Sequence, residues 1–134
     1  MSLRIRAWWP VAAWAAVVLT VSSIPRLASP VSTFQHADKL AHFLEYAVLA
    51  LLLVRGLSFE PRTRRWPVLV TVALAVAVIV LFGALDEVHQ SAIPGRSTSG
   101  WDWLSDSGGG VLGAIAGARL WLRRREARRT HGST

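Results

Sequence analysis

The chain has 134 residues, 52% of them apolar, and its mean hydropathy is positive at +0.38. A membrane-spanning helix needs about 20 mostly apolar residues, so four such segments would occupy nearly the whole chain and leave little room for a soluble catalytic domain. Cysteine is absent, which excludes disulfide bonds and thiolate metal sites. The formal charge of +7 would suggest nucleic-acid binding in a soluble protein. Here most arginines lie just outside apolar segments, as in membrane proteins, and we expect no nucleic-acid partner.

Four apolar segments follow one another along the chain. They predict one all-α domain over residues 1–134, a polytopic transmembrane bundle of about four helices. The predicted helices lie near residues 7–24, 38–55, 66–87 and 103–122. A basic tail follows over residues 123–134. Prolines and glycines between the segments, such as Pro61 and Gly95, are typical of turns. The first segment also fits a cleaved secretory signal peptide, but its length and its tryptophans favour a retained helix.

The distribution of basic residues predicts the orientation of the bundle. Cytoplasmic loops of membrane proteins carry an excess of Lys and Arg. With both termini in the cytoplasm, three basic residues lie outside, namely Arg26, Lys39 and Arg96. The other twelve then lie inside: Arg4, Arg6, Arg55, Arg62, Arg64, Arg65, Arg119, Arg123, Arg124, Arg125, Arg128 and Arg129. We therefore expect both ends of the chain in the cytoplasm.

A repeated glycine spacing marks the last segment. Gly109, Gly113 and Gly117 recur every four residues and therefore share one face of a helix. Small residues on such a face let a second helix approach closely within a membrane. We interpret the spacing as tight helix packing.

Ionisable residues inside the apolar segments indicate a functional site. In the predicted orientation six of the eight acids lie on the outer half: Asp38, Glu45, Asp86, Glu87, Asp102 and Asp106. Charged side chains within membrane spans are costly and face the bundle interior or a wet cavity. Such an acidic excess suggests a metal ion, shared protons or a cationic partner.

Helical spacing groups these residues further. Asp38, His42 and Glu45 stand at i, i+4 and i+7, so they share one stripe of the second segment, which we expect to face the bundle. Asp102 and Asp106 repeat the i, i+4 spacing at the start of the fourth segment.

Simpler structural roles fit several of the same residues. Asp38 and Asp102 are placed to cap the positive ends of their helices. His42 has Glu45 and Tyr46 within hydrogen-bonding reach along the helix, and Lys39 is near enough to a helix end to extend to the interface. These roles explain each residue alone but leave the shared acidic excess unexplained.

Dedicated cofactor and nucleophile motifs are missing from the sequence. His42, His89 and the carboxylates include metal-ligating types, but no spacing matches a zinc signature such as HExxH, and we assign no metal ligand. Neither a Ser-centred nucleophile elbow nor a phosphate-binding loop of the GxxxxGK type is present. The sequence therefore specifies no cofactor.

Two ordered blocks carry a resemblance to a known family. One is Asp38-Lys39-Leu40-Ala41-His42-Phe43-Leu44-Glu45-Tyr46, and the other runs from Asp86-Glu87-Val88-His89-Gln90 to Pro94-Gly95-Arg96. With Ser23-Ile24-Pro25 before them and Asp102 to Gly109 after them, the chain resembles the VanZ-like family over about residues 20–118. Asp106 stands where that family often has Asn. The resemblance implies a four-helix bacterial membrane protein and an association with teicoplanin (glycopeptide) resistance, but no settled reaction.

The leading interpretation is a multi-pass protein of the bacterial cytoplasmic membrane and cell envelope, with an outer-leaflet polar pocket for a membrane lipid or a lipid-linked or cell-wall ligand. Lys39 and Arg96 would meet an anionic group of that ligand. An enzymatic version uses His42 with Asp38 or Glu45 as acid and base. The alternative is a non-catalytic lipid transporter or a structural or assembly protein. The ligand-binding candidates are Lys39, Tyr46, Asp86, Glu87, Gln90, Arg96, Asp102 and Asp106.

Overall fold

A computed structural model describes residues 2–25, 33–96, 98 and 100–122, with the side chains of 33–38 outside the description. These residues form four α-helices: α1 (Leu3–Ser22), α2 (Thr33–Phe59), α3 (Val68–Ser91) and α4 (Gly100–Gly117), which a π-helical turn, Ala118–Leu122, continues. The all-α class and the four predicted helices are confirmed. Three helices, α1, α2 and α4, begin earlier than predicted, because the residues just before each apolar stretch are already helical. The predicted basic tail lies outside the described residues.

Three of the helices are long and apolar enough to cross a membrane: α1 and α3 over their whole length, and α2 from Lys39 to Phe59. Their outward faces are apolar, with Leu69, Leu81 and Val88 each more than 60% exposed. A surface of this kind is suited to lipid rather than to water. In α4 the two aspartates and the glycines lower the hydropathy, so a fourth crossing stays a prediction.

Close packing of α2 against α4 organises the bundle, and α2 also contacts α1 and α3. A Cβ atom on Gly109 would overlap the carbonyl group of Phe43, and one on Gly113 would overlap that of Ala47. Only glycine permits this approach of two backbones. The predicted role of the glycine spacing is confirmed.

Arg55 completes the hydrogen bonding of α1 at a proline. Pro10 lies inside α1 and has no N–H to donate to the carbonyl of Arg6. The Arg55 guanidinium of α2 donates to that carbonyl at 3.3 Å and to the carbonyl of Ala7 at 3.4 Å. An unsatisfied carbonyl is costly in lipid, so this contact stabilises α1 against α2.

The orientation of the bundle can be tested by labelling. Because the chain has no cysteine, a single cysteine is a clean probe. We expect Thr98→Cys, in the α3–α4 connection, to react with a membrane-impermeant thiol reagent on intact cells. We expect Arg62→Cys, in the α2–α3 connection, to react only after the cells are opened. Labelling of Arg62→Cys on intact cells would reverse the predicted topology.

Candidate functional site

Two buried carboxylates lie toward the end of the bundle where α3 ends and α4 begins, which we call the site end. Asp86 of α3 and Asp106 of α4 are each 1% exposed. Both side chains lie in the interior of the helical bundle. Acids in this position are costly unless other groups compensate them, so their partners determine what the site can do.

Asp86 joins three helices through one of its oxygens. Its Oδ2 accepts hydrogen bonds from the Ser22 hydroxyl at 2.7 Å, the Gln90 amide at 2.9 Å and the Tyr46 hydroxyl at 3.1 Å. Ser22 ends α1, Tyr46 belongs to α2, and Gln90 lies one turn beyond Asp86. The other oxygen, Oδ1, is buried and has no hydrogen-bond partner among the described residues.

Asp106 pairs with His42 across the α2–α4 interface. Nδ1 of His42 lies 3.2 Å from Oδ1 of Asp106, and the two side chains are 6% and 1% exposed. The second oxygen of Asp106, Oδ2, is buried and has no hydrogen-bond partner in the described part of the chain. A histidine held by a carboxylate can act in proton transfer or in ligand binding.

The two carboxylate centres adjoin each other across Gly83. A Cβ atom on Gly83 would lie 3.4 Å from the Tyr46 ring and 3.5 Å from Cβ of Asp106. His42 and Tyr46 are one turn apart on α2. His42 contacts Asp106, and Tyr46 donates to Asp86. We call the whole set the acidic cluster; its members are Ser22, His42, Tyr46, Asp86, Gln90 and Asp106.

Arg96 connects the acidic cluster to the end of α1. Its guanidinium donates to the Gln90 side-chain carbonyl at 3.0 Å and to the main-chain carbonyls of Val21 at 2.9 Å and Ile24 at 3.3 Å. A cation is favourable at the negative C-terminal end of a helix. These contacts hold Arg96 to the protein itself, and its contact with an anionic ligand stays a prediction.

The other predicted site residues surround the acidic cluster at greater exposure. Lys39, Glu45, Glu87 and Asp102 are half-buried, and the main-chain carbonyl of Glu45 accepts a hydrogen bond from the Trp14 indole at 2.9 Å. The side chain of Asp38 lies outside the described residues. His89 is exposed, and its Nε2 lies 2.9 Å from the Ser23 hydroxyl. Among the described side chains, no group of three or more His, Cys, Asp or Glu is placed to hold a metal ion.

A groove lies beside the acidic cluster, between α3 and α4. It has a volume of about 340 Å³, and its lining residues are Ala84, Glu87, Thr98, Gly100 and Trp103. The Trp103 indole N–H donates to the main-chain carbonyl of Val80 at 3.1 Å, which fixes the ring at the wall of the groove. The sequence analysis did not identify Trp103 or Ser22 as site residues. Serine and tryptophan are common at helix ends. These two residues stand out only through their contacts with other helices, Ser22 with Asp86 and Trp103 with Val80.

The extent of the family match agrees with this architecture. The model of the family described as VanZ/LLP1 matches residues 4–121. The chain belongs to the VanZ/LLP1 family. The match includes all four helices and every member of the acidic cluster, so the VanZ-like resemblance is confirmed. No curated protein and no solved structure matches the chain.

Proposed function

We propose that this VanZ/LLP1 family member is a multi-pass protein of the bacterial cytoplasmic membrane that binds the polar headgroup of a lipid-linked or cell-wall ligand at its site end, in the outer leaflet. Three apolar helices and an apolar outward surface support the membrane setting. The excess of arginines at the opposite end supports the orientation.

The unpartnered carboxylate oxygens carry the proposal. Oδ1 of Asp86 and Oδ2 of Asp106 are buried, and neither has a hydrogen-bond partner among the described residues. A buried polar atom without a partner is costly, and a charged one more so. Hydroxyl or amine groups of a ligand are donors and would satisfy both oxygens. A headgroup rich in such donors is therefore the ligand that fits best.

The contacts of the remaining cluster residues support a preformed site. Tyr46, Ser22 and Gln90 occupy only Oδ2 of Asp86, which leaves Oδ1 for a ligand. Arg96 holds Gln90 in place through its side-chain carbonyl and so acts as a positioning residue in this proposal. Nothing in these contacts favours a glycopeptide, so the proposal does not extend to teicoplanin resistance.

One observation also favours an enzyme. The approach of His42 to Asp106 at 3.2 Å has the form of a general acid–base pair, in which the carboxylate orients the imidazole. The predicted partnership of His42 with Asp38 or Glu45 stays a prediction beside this pair. Turnover of a lipid-linked substrate by the purified protein would favour the enzyme over a binding protein.

Detection of a bound ligand tests the proposal. We expect native mass spectrometry of the protein extracted from its own membranes to show a bound lipid-sized mass that Asp106→Asn reduces severalfold, because the amide is a weaker acceptor than the carboxylate. Glu60→Gln is the matched control, since Glu60 is a buried acid at the opposite end, bonded to Trp8. Absence of any bound mass from the wild type, or equal loss in Glu60→Gln, would contradict the proposal.

A further inference from the structure

The groove between α3 and α4 has the composition of a cation site. Its lining combines one carboxylate, Glu87, with one indole, Trp103, and no basic residue from the described part of the chain lines it. A volume of about 340 Å³ is within the range of small-molecule sites. A Cβ atom placed on Gly100 would have no heavy atom within 4 Å, so the groove is open on this side.

Trp103 connects the groove to the buried carboxylates. Cδ1 of its ring and Cβ of Asp106 each lie 3.5 Å from the point that a Cβ on Gly83 would occupy. Residue Trp103 is 37% exposed, and its indole N–H donates to the main-chain carbonyl of Val80. The indole therefore has a fixed position between solvent-accessible space and the acidic cluster, with its aromatic surface available to a ligand.

The electrostatic setting favours a positive ligand. Asp106 lies beside Trp103 at the wall of the groove, and its Oδ2 is buried and has no hydrogen-bond partner among the described residues. Arg96 is directed toward the carbonyls of α1 and toward Gln90. A cation over an aromatic ring is attracted by the negative face of the ring, and nearby carboxylates add to that attraction. An ammonium group satisfies both conditions and supplies N–H donors.

Exposed apolar side chains beside the groove indicate that the ligand is a lipid. Leu85 and Val88 of α3 are 60% and 68% exposed, and Leu104 of α4 is 53% exposed. Acyl chains attached to a headgroup in the groove would lie against these side chains. A free amine would make no use of them.

We propose that the groove binds the ammonium group of a lipid headgroup, with Trp103 contacting the cation and Glu87 providing the counter-charge. This inference rests on the proposed function and narrows its ligand to an amine-bearing lipid. Trp103 and Glu87 then select the headgroup, which the acidic cluster alone does not do.

The test compares lipids that differ only in the headgroup. The purified wild type is titrated with phosphatidylethanolamine or phosphatidylglycerol of identical acyl chains, and binding is followed by native mass spectrometry. We expect the amine lipid to bind about tenfold more tightly, the effect of a desolvated cation–π contact together with a carboxylate. Trp103→Leu and Glu87→Gln should each weaken binding of phosphatidylethanolamine about tenfold and so remove this preference. Trp103→Phe keeps an aromatic ring and should retain most of the preference.

Trp66→Leu is the matched control, because Trp66 is 40% exposed and lies at the opposite end of the bundle, before α3. Equal affinity for the two lipids, or loss of the preference in Trp66→Leu, would overturn the inference. Free ethanolamine that binds as tightly as the lipid would overturn the assignment to a lipid. If a ligand depends on Asp106 but shows no amine preference, this inference fails and the proposed function stands. If the wild type retains no lipid at all, both fail.

Discussion

Replacing Gly113 with alanine is expected to destabilise the bundle by about 3 kcal/mol, at the upper end of typical overpacking costs. The new Cβ would overlap the carbonyl group of Ala47 and would lie 2.8 Å from its Cα. These are backbone atoms of α2, so no side-chain rotation relieves the contact, and the two helices must separate. Unfolding of the detergent-solubilised protein, followed by circular dichroism against temperature and denaturant, measures the effect.

Gly100→Ala is the matched control for this substitution. Gly100 also belongs to α4, but a Cβ placed there meets no heavy atom within 4 Å. We expect its unfolding curve to follow that of the wild type. Because alanine is a better helix former than glycine, equal destabilisation by Gly100→Ala and Gly113→Ala would contradict the α2–α4 approach as the cause.

His42→Leu is expected to destabilise the protein by about 3 kcal/mol or more, because it leaves the buried Asp106 without its partner. Both side chains of this pair are almost fully buried. The double variant, His42→Leu with Asp106→Leu, should be markedly more stable than the single one, since replacement of a buried pair by apolar residues is often neutral or stabilising. A double-mutant cycle from unfolding measurements in one detergent gives the coupling free energy between the two side chains.

His89→Leu provides the control for histidine removal at the same end of the bundle. His89 is exposed, and its ring lies within hydrogen-bonding distance of the Ser23 hydroxyl, so we expect little change in stability. If the effects of His42→Leu and Asp106→Leu simply add, within about 0.5 kcal/mol, the two side chains are not coupled and the pair has been misassigned.

Periodicity and charge were sufficient to predict the features that depend on one helix at a time. The apolar segments predicted four helices, and the glycine spacing predicted the face on which α4 meets α2. The i+4 spacing of Asp86 and Gln90 is also a property of one helix, and the structure places a hydrogen bond of 2.9 Å between them. In each case the helix geometry alone brings the groups to one face.

Contacts between helices could not be predicted in the same way. Helical spacing offered His42 only partners from its own helix, and the structure adds Asp106 of α4. Ser22 was missed because its partner, Asp86, becomes a neighbour only when α1 packs beside α3. The hydrogen bonds of Arg96 to the carbonyls at the end of α1 were not predicted, and its contact with an anionic ligand stays a prediction. Helical spacing defines a face but does not specify which helix covers it.

The central claim is that the buried carboxylates hold a ligand and do not serve the fold alone. Asp106→Asn tests it most directly, because the amide has nearly the same shape and keeps an oxygen that can accept from His42 while it removes the negative charge. Bound mass and melting temperature should be measured on the same preparations of the wild type and the variant. We predict that Asp106→Asn melts within a few degrees of the wild type yet loses most of the bound mass. A loss of ligand that appears only together with a matching fall in melting temperature would contradict the claim and leave the acidic cluster with a structural role.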